Sequence, residues 1–163
     1  MTNHIISAAI VVVIAAAAAW LMVWGWRRRA RRQQTIGELP PVPAELGPAT
    51  AHRAKYVATT TAGQPFDRVV ARGLGFRGDA VASVHRTGLL VERAGEADIW
   101  IPADRLVGVD RATWTIDRVV EGNGLHLVRW RLGDQDVDTY LRLDEPRAFD
   151  DAVAPLIPKQ VLS

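Results

Sequence analysis

The stretch of this chain closest to known chemistry is Gly73-Leu74-Gly75-Phe76-Arg77-Gly78, with Asp98 following 20 residues after Gly78. Glycines at this spacing cradle a dinucleotide pyrophosphate when a helix N-terminus follows them, and the later acidic residue takes a ribose hydroxyl. Only a short, strand-like segment separates Gly78 from the turn at Gly88. No crossover helix fits there, so the glycines read as a corner where a strand bends. The histidines are His4, His52, His85 and His126, and none forms an H-x-x-x-H metal pair. His85 and His126 read as surface positions on neighbouring strands. The chain has no cysteine, which excludes disulfides, thiolate zinc sites and cysteine nucleophiles. Ser7, Ser83 and Ser163 lack the sharp strand-to-helix setting of a nucleophilic serine. Asp134, Asp136 and Asp138 alternate through a turn as calcium ligands can, without the glycine and bidentate glutamate of a calcium loop. They read as solvent-facing strand residues. Trp100, Trp114 and Trp130 read as core or barrel-closing residues, with an exposed binding patch as the alternative. Arg77-Gly78-Asp79 spells an adhesion tripeptide, a coincidence in a cytoplasmic domain. No catalytic constellation emerges, and no cofactor or metal is expected.

The elements that would position these residues are mostly strands. β-Branched residues over 55–61 precede a turn at Gly63-Gln64-Pro65. A short run, Arg68-Val69-Val70-Ala71, ends in the glycine cluster. Strands are predicted over 80–86, 89–93 and 98–101, with Pro102 stopping the last. A longer strand is predicted over 105–117, with Val107, Val109 and Trp114 on alternate positions. Gly133-Asp134 reads as a hairpin turn between residues 125–131 and the alternating Val137, Thr139, Leu141 and Leu143. Glu145-Pro146 then opens a helix whose apolar face carries Phe149, Ala152, Val153 and Leu156, with Pro155 shortening the last turn. About seven short antiparallel strands followed by one amphipathic helix give a mainly β fold, a bent barrel or sandwich.

This order resembles the pleckstrin-homology-like (PH-like) fold, a bent barrel plugged by a C-terminal helix. Residues 68–75, Gly88-Leu89-Leu90-Val91-Glu92-Arg93, Trp100-Ile101-Pro102-Ala103 and Trp130-Arg131-Leu132-Gly133 resemble actinobacterial single-span membrane proteins that carry a bacterial PH-like domain. Such proteins are often labelled as export or transport proteins. No catalytic constellation accompanies the resemblance, so a non-enzymatic module is expected. The resemblance does not extend to phosphoinositide recognition: the first turn, residues 62–67, has no Lys or Arg, and only Arg53 and Lys55 precede it.

Residues 5–26 are apolar and free of charge and proline. A helix of that length spans about 33 Å, enough for one membrane crossing. Trp20, Trp24 and Trp26 mark one interface, and Arg27, Arg28, Arg29, Arg31 and Arg32 lie directly beyond. No Lys or Arg precedes the segment, so the positive-inside rule puts the arginines and the C-terminal domain in the cytoplasm and the N-terminus outside. A cleaved signal peptide would carry its positive charge before the apolar run. The formal net charge is +2, but the five juxtamembrane arginines account for it. From residue 51 onward, 15 basic residues face 16 acidic ones, which argues against nucleic-acid binding.

The expected organisation is a membrane helix with an arginine flank at 1–32, a proline-rich spacer at 33–54, and a PH-like domain at 55–158. The expected role is a plasma-membrane-tethered module that binds a protein partner or a second copy of itself. Lipid-headgroup sensing by the domain and arginine flank is one alternative, and an accessory role in a transport or export complex is the other.

Overall fold

A computed structural model describes residues 14, 16–23, 37–112, 114–115, 118–119 and 124–157. The chain divides into two units, Met1–Thr35 and Ile36–Ser163. In the first, residues 16–23 are helical, and Ile14, Trp20, Leu21, Met22 and Val23 are exposed. Among the described residues no helix is long and apolar enough to cross a membrane. Most of the predicted crossing at 5–26 lies outside the described residues, as do Trp24, Trp26 and the five arginines.

The second unit is built on nine strands among the described residues: β1 (Ala49–Thr61), β2 (Gly78–His85), β3 (Gly88–Arg93), β4 (Ile99–Pro102), β5 (Leu106–Ala112), β6 (Trp114–Thr115), β7 (Arg118–Val119), β8 (Leu125–Leu132) and β9 (Gln135–Leu143). Seven form one sheet in the order β4-β3-β2-β1-β9-β8-β5, and β6 and β7 pair separately. Every pairing is antiparallel. One core cluster takes side chains from all seven strands, including Tyr56, Val84, Val91, Ile101, Leu106, Trp130 and Leu141. A single face can surround a single core only if the sheet bends strongly on itself. Among the described residues the outer edges of β4 and β5 remain unpaired in it.

Helix α1 (Pro146–Val153) closes this core. It starts at Glu145 with Pro146 in its first turn, and Phe149 and Val153 are buried while Ala152 and Leu156 pack from the side. Pro155 lies in a short 3-10 turn, Ala154–Leu156, where the α-helix ends. This is the bent, helix-plugged arrangement that the resemblance implied. The Gly133-Asp134 turn also forms, with Leu132 opposite Gln135 and Gly133 at φ +61°.

Three stretches depart from the sequence-based expectation. β1 starts at Ala49, six residues before the expected strand, because Ala49 to Tyr56 pair rung by rung with His85 to Gly78. The small residues there carry little strand signal of their own, and pairing supplies it. The expected run at 68–71 makes only one bridge, Thr60 to Arg68, before a 3-10 turn at Ala71–Gly73. The long strand expected over 105–117 ends at Ala112. A register shift between Leu106 and Gly108 changes its phase, so Leu106 and Val109 face the core cluster, not Val107.

Residues 37–48 have no regular structure, as their prolines foretell, yet they are not free of the barrel. Leu39 packs on the core and Pro40 is buried. Gly37 lies on the β8–β9 turn so closely that a Cβ would sit 2.7 Å from Gly133 Cα and N. Leu46 C=O lies 3.2 Å from His85 Nδ1 near the opposite pole. The segment is a strap along the domain. Gly37→Ala is expected to lift its first residues at a cost of about 1–2 kcal/mol, because the obstructing atoms are backbone and cannot rotate away. Hydrogen exchange at the amides of residues 37–39 should rise while the strands keep their protection.

Candidate interaction surface

The β1–β2 connection, residues 62–77, carries three exposed large apolar side chains: Phe66 at 78%, Val70 at 56% and Phe76 at 61%. Phenylalanines that open to solvent are unusual in a loop that is otherwise anchored from beneath. Val69 and Leu74 are buried in the core. Val69 N–H donates to Thr59 C=O at 2.9 Å, and Arg68 donates to Val57 C=O at 3.1 Å. Thr61 Oγ1 donates to Asp67 Oδ2 at 2.8 Å. Arg72 stands at φ +58°, and Gly73 follows at φ +71°. A left-handed arginine costs about 1–2 kcal/mol, which the surrounding anchors must offset.

The deepest anchor is a line of buried donors. Trp130 Nε1–H donates to Thr139 Oγ1 at 2.9 Å, Thr139 and Thr59 hydroxyls lie 2.9 Å apart, Thr59 and Tyr56 hydroxyls 2.8 Å apart, and Tyr56 donates to Leu74 C=O at 2.8 Å. The indole can only donate and the last carbonyl can only accept, so every hydroxyl proton between them must point the same way. Burial pushes the Tyr56 phenol above its ordinary range, which keeps it a donor. Arg93 completes the support. It is 6% exposed, donates to Gly73 C=O at 2.6 Å and to Ala97 C=O, and lies 5.0 Å from the Tyr56 ring centroid. Carbonyls and a π face solvate this buried cation in place of a carboxylate.

The residues singled out in the sequence fall elsewhere. The 3-10 turn Ala71–Gly73 ends at the first glycine of the run, and Gly78 opens β2, so no helix N-terminus follows the glycines and the dinucleotide reading fails. Arg53, Lys55, Asp79, Glu92, Arg93 and Asp144 line a cleft of about 610 Å³. Its charges are mixed, and Lys55 is already paired with Asp79 at 2.7 Å, holding that carboxyl below its usual range. Such a lining does not select an anion. Ser83 is buried and donates to Glu92. Trp100 and Trp130 are buried, as expected of core or barrel-closing residues. Among the described residues no His, Asp and Glu cluster could hold a metal ion.

Two groups correct the expectation of surface positions. Asp138 is buried, gripped by Arg129 at 2.7 and 2.9 Å and accepting Gly63 N–H at 2.9 Å. His52, His85 and His126 are also buried, and β2 and β8 are not neighbours in the sheet. His52 and His126 both pack T-shaped with Phe149, at 5.6 and 5.8 Å between centroids. His126 Nε2 lies 2.9 Å from Asp150 Oδ1, and Arg111 holds the other carboxylate oxygen at 2.8 Å. Since the carboxylate can only accept, Nε2 carries the proton, and Nδ1 is buried without a partner.

Burial lowers the His126 pKa from 6.5, and Asp150 opposes that only in part. The unfolded chain therefore binds this proton first as pH falls. The stabilisation is complete above about pH 6.5 and declines as pH drops below it toward the folded-state value. The melting temperature should fall on acidification from about pH 7 to 5, more steeply than in His126→Gln. Equal slopes for the two proteins would assign the effect to another group.

No curated protein matches the chain. Residues 36–156 match the family model described as bacterial PH domain-like, which spans the strap, the sheet and the helix, and the chain belongs to that family.

Proposed function

We propose that this protein is a membrane-tethered interaction module with no catalysis of its own, and that the β5 edge beside α1 receives a protein partner. PH-like domains commonly mediate protein or lipid interactions. The observation that carries the reading is the unpaired edge of β5 next to the helix, with Arg111 on the strand bound to Asp150 on α1. An exposed strand edge offers backbone donors and acceptors that an extended segment of another chain can complete. The tether is residues 5–26, whose described part is a helix with Trp20, Leu21, Met22 and Val23 outward. Trp24, Trp26 and the arginines at 27–32 would sit at the inner interface, with the domain in the cytoplasm.

A photo-crosslinker at exposed Asp110 on β5 should capture a stoichiometric partner, or a second copy of this chain, in native membranes. The same group at Glu92 on the interior strand β3 should not. Capture from Glu92 alone, or a strictly monomeric, partner-free protein after extraction in mild detergent, would sink the reading. A reporter fused to the C-terminus that is active only outside the cytoplasm would sink the topology.

A further inference from the structure

We infer that the arch of the strap, residues 41–45, is a ligand for a proline-reading protein, one whose groove is lined by aromatic rings and carries a basic rim. Neither the tether nor the β5 edge takes part in this surface.

The arch opens on Pro40-Pro41-Val42-Pro43. Each proline ring fixes its own φ and keeps the residue before it out of the α region, so residues 39–43 are held extended in the polyproline manner. Both ends of the arch are pinned to the barrel. Leu39 packs on the core and Pro40 is buried at one end. Leu46 is half-buried at the other, its C=O 3.2 Å from His85 Nδ1. Between the pins every residue is exposed, Val42 at 41%, and the chain bends at Ala44. A plain spacer needs neither pin. Two pins hold a short apolar run extended and open to solvent, so a partner that grasps it loses little chain entropy in doing so.

The hydrogen-bonding capacity of the arch selects the kind of partner. Among the described residues the C=O groups of Pro41, Val42 and Pro43 accept no hydrogen bond. Pro41 and Pro43 have no N–H to offer, so the run presents acceptors almost alone. An edge strand of another chain cannot complete it, because a ladder needs donors that the prolines lack. A groove of Trp and Tyr can: the rings pack against the prolines and Val42, and the indole and phenol groups donate to the free carbonyls. Charge sets the end of the groove. Glu38 lies against Arg72 at 3.9 Å, whereas Glu45, the one charged residue of the arch, makes no ion pair among the described residues. A Lys or Arg on the rim of the partner's groove meets it there.

The test places a photo-crosslinker at exposed Ala44 of the full-length protein in native membranes. An adduct with a different polypeptide should form, and its crosslinked peptide should contain Trp or Tyr. Pro41→Ala/Pro43→Ala should lower the yield of that adduct roughly tenfold or more, because it removes both the packing rings and the fixed backbone. Glu45→Lys should lower it as well. Both variants should keep cooperative thermal unfolding, since none of the three side chains belongs to the core. No adduct, an adduct with another copy of this chain, one whose peptide lacks an aromatic residue, or one that survives Pro41→Ala/Pro43→Ala overturns the proline-reading partner. Capture from Asp110 on β5 should be unchanged in both variants, so that result leaves the β5 edge standing. Loss of capture at Asp110 with the Ala44 adduct intact overturns the β5 edge alone.

Discussion

Phe149→Ala is expected to be among the most damaging single changes in the protein, lowering unfolding free energy by about 3–5 kcal/mol. The ring is fully buried and belongs to the only side of α1 that meets the core. It packs T-shaped with two histidines on different strands, His52 on β1 and His126 on β8. Truncation leaves a cavity between groups that cannot collapse freely, because His126 is held at Asp150 and both strands lie inside the sheet. It also puts the unpartnered His52 Nε2 and His126 Nδ1 next to space that water can enter. At roughly 4 °C per kcal/mol for a domain of this size, the melting temperature should fall by about 12–20 °C. Calorimetry of the variant reads this directly, and a loss below about 1 kcal/mol would mean that the helix does not seal the barrel.

Arg129→Met ranks next. Asp138 is 1% exposed, and Arg129 supplies two of its three hydrogen bonds. Removing the arginine strands a carboxylate in the domain interior, where a broken pair costs about 3–5 kcal/mol. The lower end is expected, because the Arg129 side chain is 39% exposed and water can take its place in part. The discriminating variant is Arg129→Met/Asp138→Asn. It removes the charge but keeps an acceptor for Gly63 N–H, so denaturant titration should recover about half of the loss. If the double variant is as unstable as the single one, packing by the arginine stem is the larger contribution.

What the sequence disclosed were the features written in short-range signals. The Gly133-Asp134 turn, the stop at Pro102 and the helix opening at Glu145-Pro146 each need only a few neighbouring residues to form, and each is present. The helix face of Phe149, Ala152, Val153 and Leu156 followed from spacing alone. What stayed hidden depends on register. Asp138 is directly opposite Arg129 across β8 and β9, a pairing that the Gly133-Asp134 turn sets and that the alternation of Asp134, Asp136 and Asp138 alone does not show. His126 reads as a surface residue because its burial comes from a helix that arrives later in the chain. A register shift between Leu106 and Gly108 took Val107 off the face it was expected to share with Val109. The exposed rings of Phe66 and Phe76 were overlooked for a different reason. The first hairpin was judged by its tightest turn, 62–67, whereas the connection extends to Arg77 and gathers its arginines after that turn.

The strap has a mechanical consequence. A tug that reaches the domain through residue 36 is borne first where Gly37, Leu39 and Pro40 grip the barrel, at the pole of the Gly133 turn. The first rung of β1, Ala49 opposite His85, lies a whole strap length farther on. Load therefore strips a short, unstructured cord before it can unzip a strand, much as the sleeve on an electrical cable protects the joint behind it.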